Sequence, residues 1–385
     1  MCALSGTTTE NWHKSSTTLG EFVPPEIYVS TEVRKIAEIV IDLTLCFIIS
    51  YLGVVTNILV IAVFIKQKFK DSVSVSMTFI SLWDLIKCLG CAIQRLHGPM
   101  RPFSPAAAES WANISIVVFN YLTCFSTYVS SVLAAYVAVE RCLCVSIPFK
   151  VRWLITPKCS FMICFLISVV VFGCFSIMYC IYDVIWVYSA AYNSTIAIYL
   201  NNRFFYNNRE PVFLYYNLSG IIWPAVSFVV ILVCTFLIVF HLRKSSTFRA
   251  RTLKLRHQKQ HFSGRDFSGA NKPQLSPRDR QIVKMLLVII IIYVISLSPR
   301  IAHYMAKYFI YEFYFLRKYH NLFILMTYVL NIFDLTNGAV NLFVFLAMSS
   351  SFRQTFTEMF SCLCKKVQDV SKLRNVKVGC HKSEM

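Results

Sequence analysis

Five charged side chains stand in apolar surroundings, and their spacing limits the chemistry open to them. Glu140 and Arg141 are adjacent at the end of SSVLAAYVAVERCLCVSIPFK (130–150), with Pro148 following; Asp84 and Lys87 lie one helical turn apart in SLWDLIK; Asp334 comes late in the chain. An ionised group in hydrocarbon costs several kcal/mol unless it is paired, so such residues usually mark a function. A carboxylate beside a guanidinium at the foot of an apolar helix can act as a latch, made in one state and broken in another. The plainer reading is a basic stop signal at a membrane edge. Asp84, Lys87 and Asp334 can neutralise one another in a core or line an ion path. Catalysis is not indicated: HExxH, GxSxG and glycine-rich phosphate loops are missing, and His97, His241 and His303 lack metal-ligand spacing, so neither an enzyme nor a metal centre is expected.

The elements that must position these groups follow from composition. The chain has 385 residues, 56% hydrophobic and only 15% charged, which points to membrane residence. Runs of roughly 20 apolar residues span a bilayer, and seven such runs fall near 36–65, 73–94, 112–139, 159–182, 212–240, 283–306 and 321–347. Leu286 to Ser296 is apolar on every face, whereas a barrel strand alternates. The expected fold is an all-α membrane protein: a tail over 1–35, a seven-helix bundle over 36–347, a short amphipathic helix over 348–362 and a second tail over 363–385.

The net charge of +19 is one-sided. Lys66, Lys68 and Lys70 follow the first span, Lys150, Arg152 and Lys158 the third, a basic loop joins the fifth and sixth, and the last tail is basic again. The positive-inside rule then places the N-terminus outside and the C-terminus inside a plasma membrane, with anionic lipid rather than nucleic acid as the partner of that charge. The first 35 residues hold no apolar signal-peptide core, so the first span is expected to direct its own insertion. Most of the 15 cysteines fall inside spans and outline no disulfide framework.

Polar groups recur at mid-membrane depth: Asn57 with Gly53 in the first span, Asp84 and Lys87 in the second, Ser126 and Ser130 in the third, Asp334, Asn337 and Asn341 in the seventh. One shared polar interior accounts for them better than scattered defects do. Pro224 and Pro299 each remove a backbone hydrogen bond and are expected to kink their helices. Phe352, Phe356 and Phe360 recur at helical spacing, which suits a helix lying on the inner leaflet; Cys362 and Cys364 follow in a position suited to S-palmitoylation. Asn193 and Asn113 begin outer sequons for glycosylation, while a third, at Asn217, falls inside the fifth span.

Seven spans with Asn57, Asp84, Arg141, Pro148, Pro224, Pro299 and Asn341 in this order resemble the rhodopsin-like (class A) G-protein-coupled receptors over residues 36–362. The resemblance implies that Arg141 is held by Glu140 and by Asp279, twenty residues before Pro299, in an ionic lock. Agonist binding would release helix 6 and admit a heterotrimeric G protein, with arrestin and a receptor kinase as later partners. It also implies that Asp84, Ser130, Asn337 and Asn341 coordinate an allosteric sodium ion. Lys87 complicates that site: a bridge to Asp334 leaves room for the ion, whereas a turn toward Asp84 replaces it. The departures are Leu297 where the family has an aromatic residue, Leu342 and Phe345 where it has proline and tyrosine, Leu232 where it has tyrosine, and Ile116 in place of the cysteine that anchors the second outer loop. Thr123 and Leu335 disfavour amine and retinal ligands. The chain looks most similar to neuropeptide receptors and to chemosensory-type receptors of invertebrates such as molluscs, implying a peptide or small chemosensory ligand in a pocket that includes Thr123, Tyr304 and Lys307. The alternative is a transporter or ion channel using Asp84, Lys87 and Asp334, which no internal repeat supports.

Overall fold

The computed structural model describes residues 25–69, 71–147, 155–260, 277–315 and 317–361, the side chains of 242–260 and 277–286 excepted. Seven helices among them are long and apolar enough to cross a membrane: α1 (Thr31–Lys66), α2 (Ser72–Met100), α3 (Pro105–Ser146), α4 (Pro157–Cys180), α5 (Arg209–His241), α6 (Leu287–Phe309) and α7 (His320–Met348). Their starts are written locally. Ser30, Ser104 and Thr156 each accept a hydrogen bond from a main-chain N–H of the first turn, at 3.2 to 3.3 Å, and Pro105 and Pro157 sit where the helix needs no donor. The Ser30 cap starts α1 at Thr31 rather than at 36, so the tail is shorter than expected.

α3 is the central post and packs against α2, α4, α5 and α6. Its Phe125, Tyr128, Val129, Leu133 and Ala138 are buried, while large apolar side chains such as Ile36, Phe161, Leu166, Val229 and Phe236 face outward. An apolar exterior around a core holding Asp84, Lys87, Asn57 and Asn341 is the arrangement that hydrocarbon as solvent selects. Close approach is set by small residues: a Cβ at Gly53 of α1 would lie 2.4 Å from Cys88 Sγ of α2.

One region departs from the all-helical expectation. The segment after α4 forms an antiparallel hairpin, β1 (Tyr182–Ser189) with β2 (Ser194–Asn201), in register from Tyr182 opposite Asn201 to Ser189 opposite Ser194. Asn193 turns it with φ +47°. Hydrogen bonds to α3 pin β2 where the sequence has no anchoring cysteine: Asn113 Nδ2 donates to the Ala197 carbonyl (3.0 Å), and Ala197 N–H donates to Ser110 Oγ (3.1 Å). At the opposite end of the bundle α8 (350–361) follows α7. Its Phe352 stacks on Phe345 and meets Phe64 edge-on.

Candidate functional site

Among the described residues, polar groups gather in the middle of the bundle, toward the hairpin and at the end away from it. In the middle, Asp84 accepts from Lys87 Nζ (2.7 Å) and Ser130 Oγ (3.1 Å) at Oδ1 and from Asn341 Nδ2 (3.1 Å) at Oδ2. Asp84 and Lys87 are both 0% exposed. Gly338 of α7 makes this possible, because a Cβ there would come within 3.0 Å of Lys87 Cε and Nζ. The Gly338 carbonyl in turn accepts from Asn57 Nδ2 at 2.8 Å, and Asn337 is buried beside it.

This geometry overturns the expected Lys87–Asp334 bridge. Lys87 lies one turn from Asp84 on the same face, and the glycine opposite leaves its chain free to fold back. The sodium ion implied by the family resemblance fits poorly as well. An ammonium already sits against the carboxylate, where the ion's charge would be, and Ser130 and Asn341 donate to Asp84; the buried Asn337 and Asn57 side-chain oxygens are without a hydrogen bond among the described residues.

Asp334 is taken by a residue that the sequence reading passed over. Arg300, directly after Pro299 in α6, donates through Nε to Oδ1 (3.3 Å) and through Nη2 to Oδ2, a two-pronged pairing between α6 and α7. The guanidinium also lies 5.6 Å from the centre of the Tyr128 ring and donates to Cys124 Sγ (3.5 Å), both on α3. Tyr128 donates to the hydroxyl of Tyr304 (2.7 Å) on α6. Tyr304 lies against Gly220 of α5, where a Cβ would approach its ring to 2.5 Å. One cluster therefore joins α3, α5, α6 and α7. An arginine in mid-span needs a carboxylate, and that rule could have found the pair. The same holds for Arg95 of α2, which donates to the carboxylate and main-chain carbonyl of Asp42 in α1.

Nearer the hairpin, Lys307 Nζ rests over the faces of Tyr216 (4.6 Å), Tyr314 (4.7 Å) and Tyr304 (5.4 Å). Burial raises the Tyr314 phenol above its ordinary range, so the ring meets Lys307 neutral. Tyr304 and Lys307 are thus brought together. Thr123 is not: its Oγ1 would be 3.5 Å from a Cβ at Gly90 of α2 and finds no hydrogen bond among the described residues.

At the far end Glu140 pairs with Arg141 and accepts from Ser72 Oγ and from Ser76 Oγ (3.2 Å) of α2. Both charged residues are buried. Asp279 is on the helix Pro277–Phe309 that continues into α6, but its side chain, like Pro148, Cys362 and Cys364, lies outside the described residues. Pro224 and Pro299 both stand inside helices. Of the two sequons, Asn193 is exposed at the hairpin turn. Asn113 is half-buried, and its Nδ2 donates to the Ala197 carbonyl of β2.

Residues 44–363 match the family described as the serpentine type 7TM GPCR chemoreceptor Srw. A comparison with curated proteins gave no match.

Proposed function

The chain belongs to the Srw family of serpentine 7TM GPCR chemoreceptors, and from that premise we propose a plasma-membrane receptor that binds a peptide or small chemosensory ligand at its hairpin end and activates a heterotrimeric G protein at its Arg141 end. Lys66, Lys68 and Lys158 lie at the ends of helices near Arg141, which supports a cytoplasmic position for that end. The observation that carries the reading is the buried Glu140–Arg141 pair tied to α2 by Ser72 and Ser76. A guanidinium held by its neighbour in a packed bundle is a group that one state can hold and another can release. The cluster of Arg300, Asp334, Tyr128 and Tyr304 bridges four helices and is the contact through which ligand binding reaches α6. A ligand favouring the open packing shifts the population; moving it from 1:99 to 99:1 takes about 5.5 kcal/mol of differential affinity.

Kinship with rhodopsin-like receptors, the neuropeptide and molluscan chemosensory ones included, belongs to the same proposal and is supported by Asn57, Asp84, Arg141, Pro224 and Pro299. So do arrestin and receptor-kinase partners, a glycan on Asn193, thioester lipidation at Cys362 and Cys364, and α8 on the inner leaflet.

Nucleotide exchange on a panel of G proteins, by membranes carrying wild type, Arg141→Ala or Asp279→Ala, tests the reading. Asp279→Ala is expected to raise basal exchange and Arg141→Ala to change it. Absence of exchange with every G protein and variant would sink it, and ion-flux recording would then examine the transporter alternative.

A further inference from the structure

We propose that the hairpin end takes a ligand bearing an aromatic group and a carboxylate, with Lys307 as the carboxylate's counter-ion. The inference rests on the receptor reading and names the ligand chemistry of that site.

Charge balance is the first support. Four buried cations of the bundle have carboxylates among the described residues: Lys87 has Asp84, Arg300 has Asp334, Arg95 has Asp42 and Arg141 has Glu140. Lys307 has none among the described residues, and its nearest neighbours are tyrosine faces. Quadrupole attraction holds an ammonium there but leaves its charge uncompensated.

A second cation strengthens the point independently. Arg317 approaches the same Tyr314 ring (5.5 Å) after stacking on Tyr311 (3.5 Å), and it too lacks a carboxylate among the described residues. Tyr314 therefore stands between two positive groups. An amine brought here would be repelled, and a neutral ligand would leave both charges unanswered.

Composition supplies the aromatic half. Tyr182 of the hairpin hydrogen-bonds to Tyr121 of α3 (3.0 Å), and Tyr121 meets Tyr216 edge-on. A ring entering this group finds edges and faces to pack on. Lys307, Tyr182, Tyr216 and Tyr314 are each half-buried. The carboxylate can belong to a small aromatic acid or to the free C-terminus of a peptide ending in an aromatic residue.

The test is thermal unfolding of the purified full chain in detergent, titrated with phenylacetate, phenylacetamide and phenethylamine, and with the peptide Gly-Phe as free acid and as amide. At least one acid should raise Tm with an apparent Kd about tenfold tighter than that of its amide, and which acid does so identifies the source. Lys307→Gln should erase the difference, Lys307→Arg should keep it, and Lys307→Glu should turn the preference toward phenethylamine. The Arg and Glu variants separate loss of charge from loss of fold. Equal binding of acid and amide, a shift by the amine in wild type, no shift with any probe, or an acid preference that survives Lys307→Gln would each overturn the proposal. Binding is read without a G protein, so its failure leaves the exchange experiment standing, and failure of exchange leaves this one standing.

Discussion

A lysine three residues after an aspartate on one helix face reaches either its own helix or the next, and the atom opposite decides. For Lys87 that atom is a missing Cβ at Gly338, which lets the ammonium fold onto Asp84. With a resident cation in place, Tm and basal exchange should be the same in sodium and in choline buffers at equal ionic strength; a sodium-specific shift in wild type would refute the assignment. Asp334, left to Arg300, is held by two hydrogen bonds inside the bundle. Removing one partner of a buried pair strands the other at a cost of about 3–5 kcal/mol. Thermal unfolding should therefore show Arg300→Met or Asp334→Leu alone as markedly less stable than wild type, with the double variant recovering most of the loss. Strict additivity would mean that the two do not interact. The presence of charged residues at these depths was legible in the chain, but their partners were not, because Asp334 has two cations within plausible reach.

At the scale of elements, the α5–α6 contact and the hairpin rest on interlocking shapes. Gly220 exists to admit the Tyr304 ring, so Gly220→Ala should cost about 1–3 kcal/mol by overpacking. Tyr304→Leu in the same background should recover part of it, whereas an unchanged Tm in Gly220→Ala would show that the helices do not meet there. Helix starts are written locally, but the apolar runs near 112 and 159 did not locate them: Ser-Pro and Thr-Pro open α3 and α4 with a side-chain acceptor followed by a residue that needs no N–H. The hairpin escaped notice. Its β1 alternation is obscured by continuous apolar and aromatic residues, and β2 is pinned by Ser110 and Asn113 from a helix more than eighty positions earlier.

Across the described residues, many large apolar side chains face outward while Asp84, Lys87, Asp334 and Arg300 pair within, which is the reverse of a water-soluble fold. Sidedness is a property of this scale, since it depends on the summed basic residues of every connection. An epitope tag before residue 25 should be accessible to antibody on intact cells, and one after residue 361 only after permeabilisation; the opposite pattern would invert both proposed ends. The number of spans, their approximate limits and the mid-depth polar residues were determined by the chain alone, because each depends on a run of about 20 neighbours that must satisfy its own backbone in lipid. The Srw match agrees with a seven-helix chemosensory receptor. Only the tertiary structure decided which cation meets which carboxylate, that Tyr304 and Lys307 share a cage while Thr123 faces α2, and that a hairpin covers α3. Those outcomes depend on distances between helices far apart in sequence, and a few absent Cβ atoms set them.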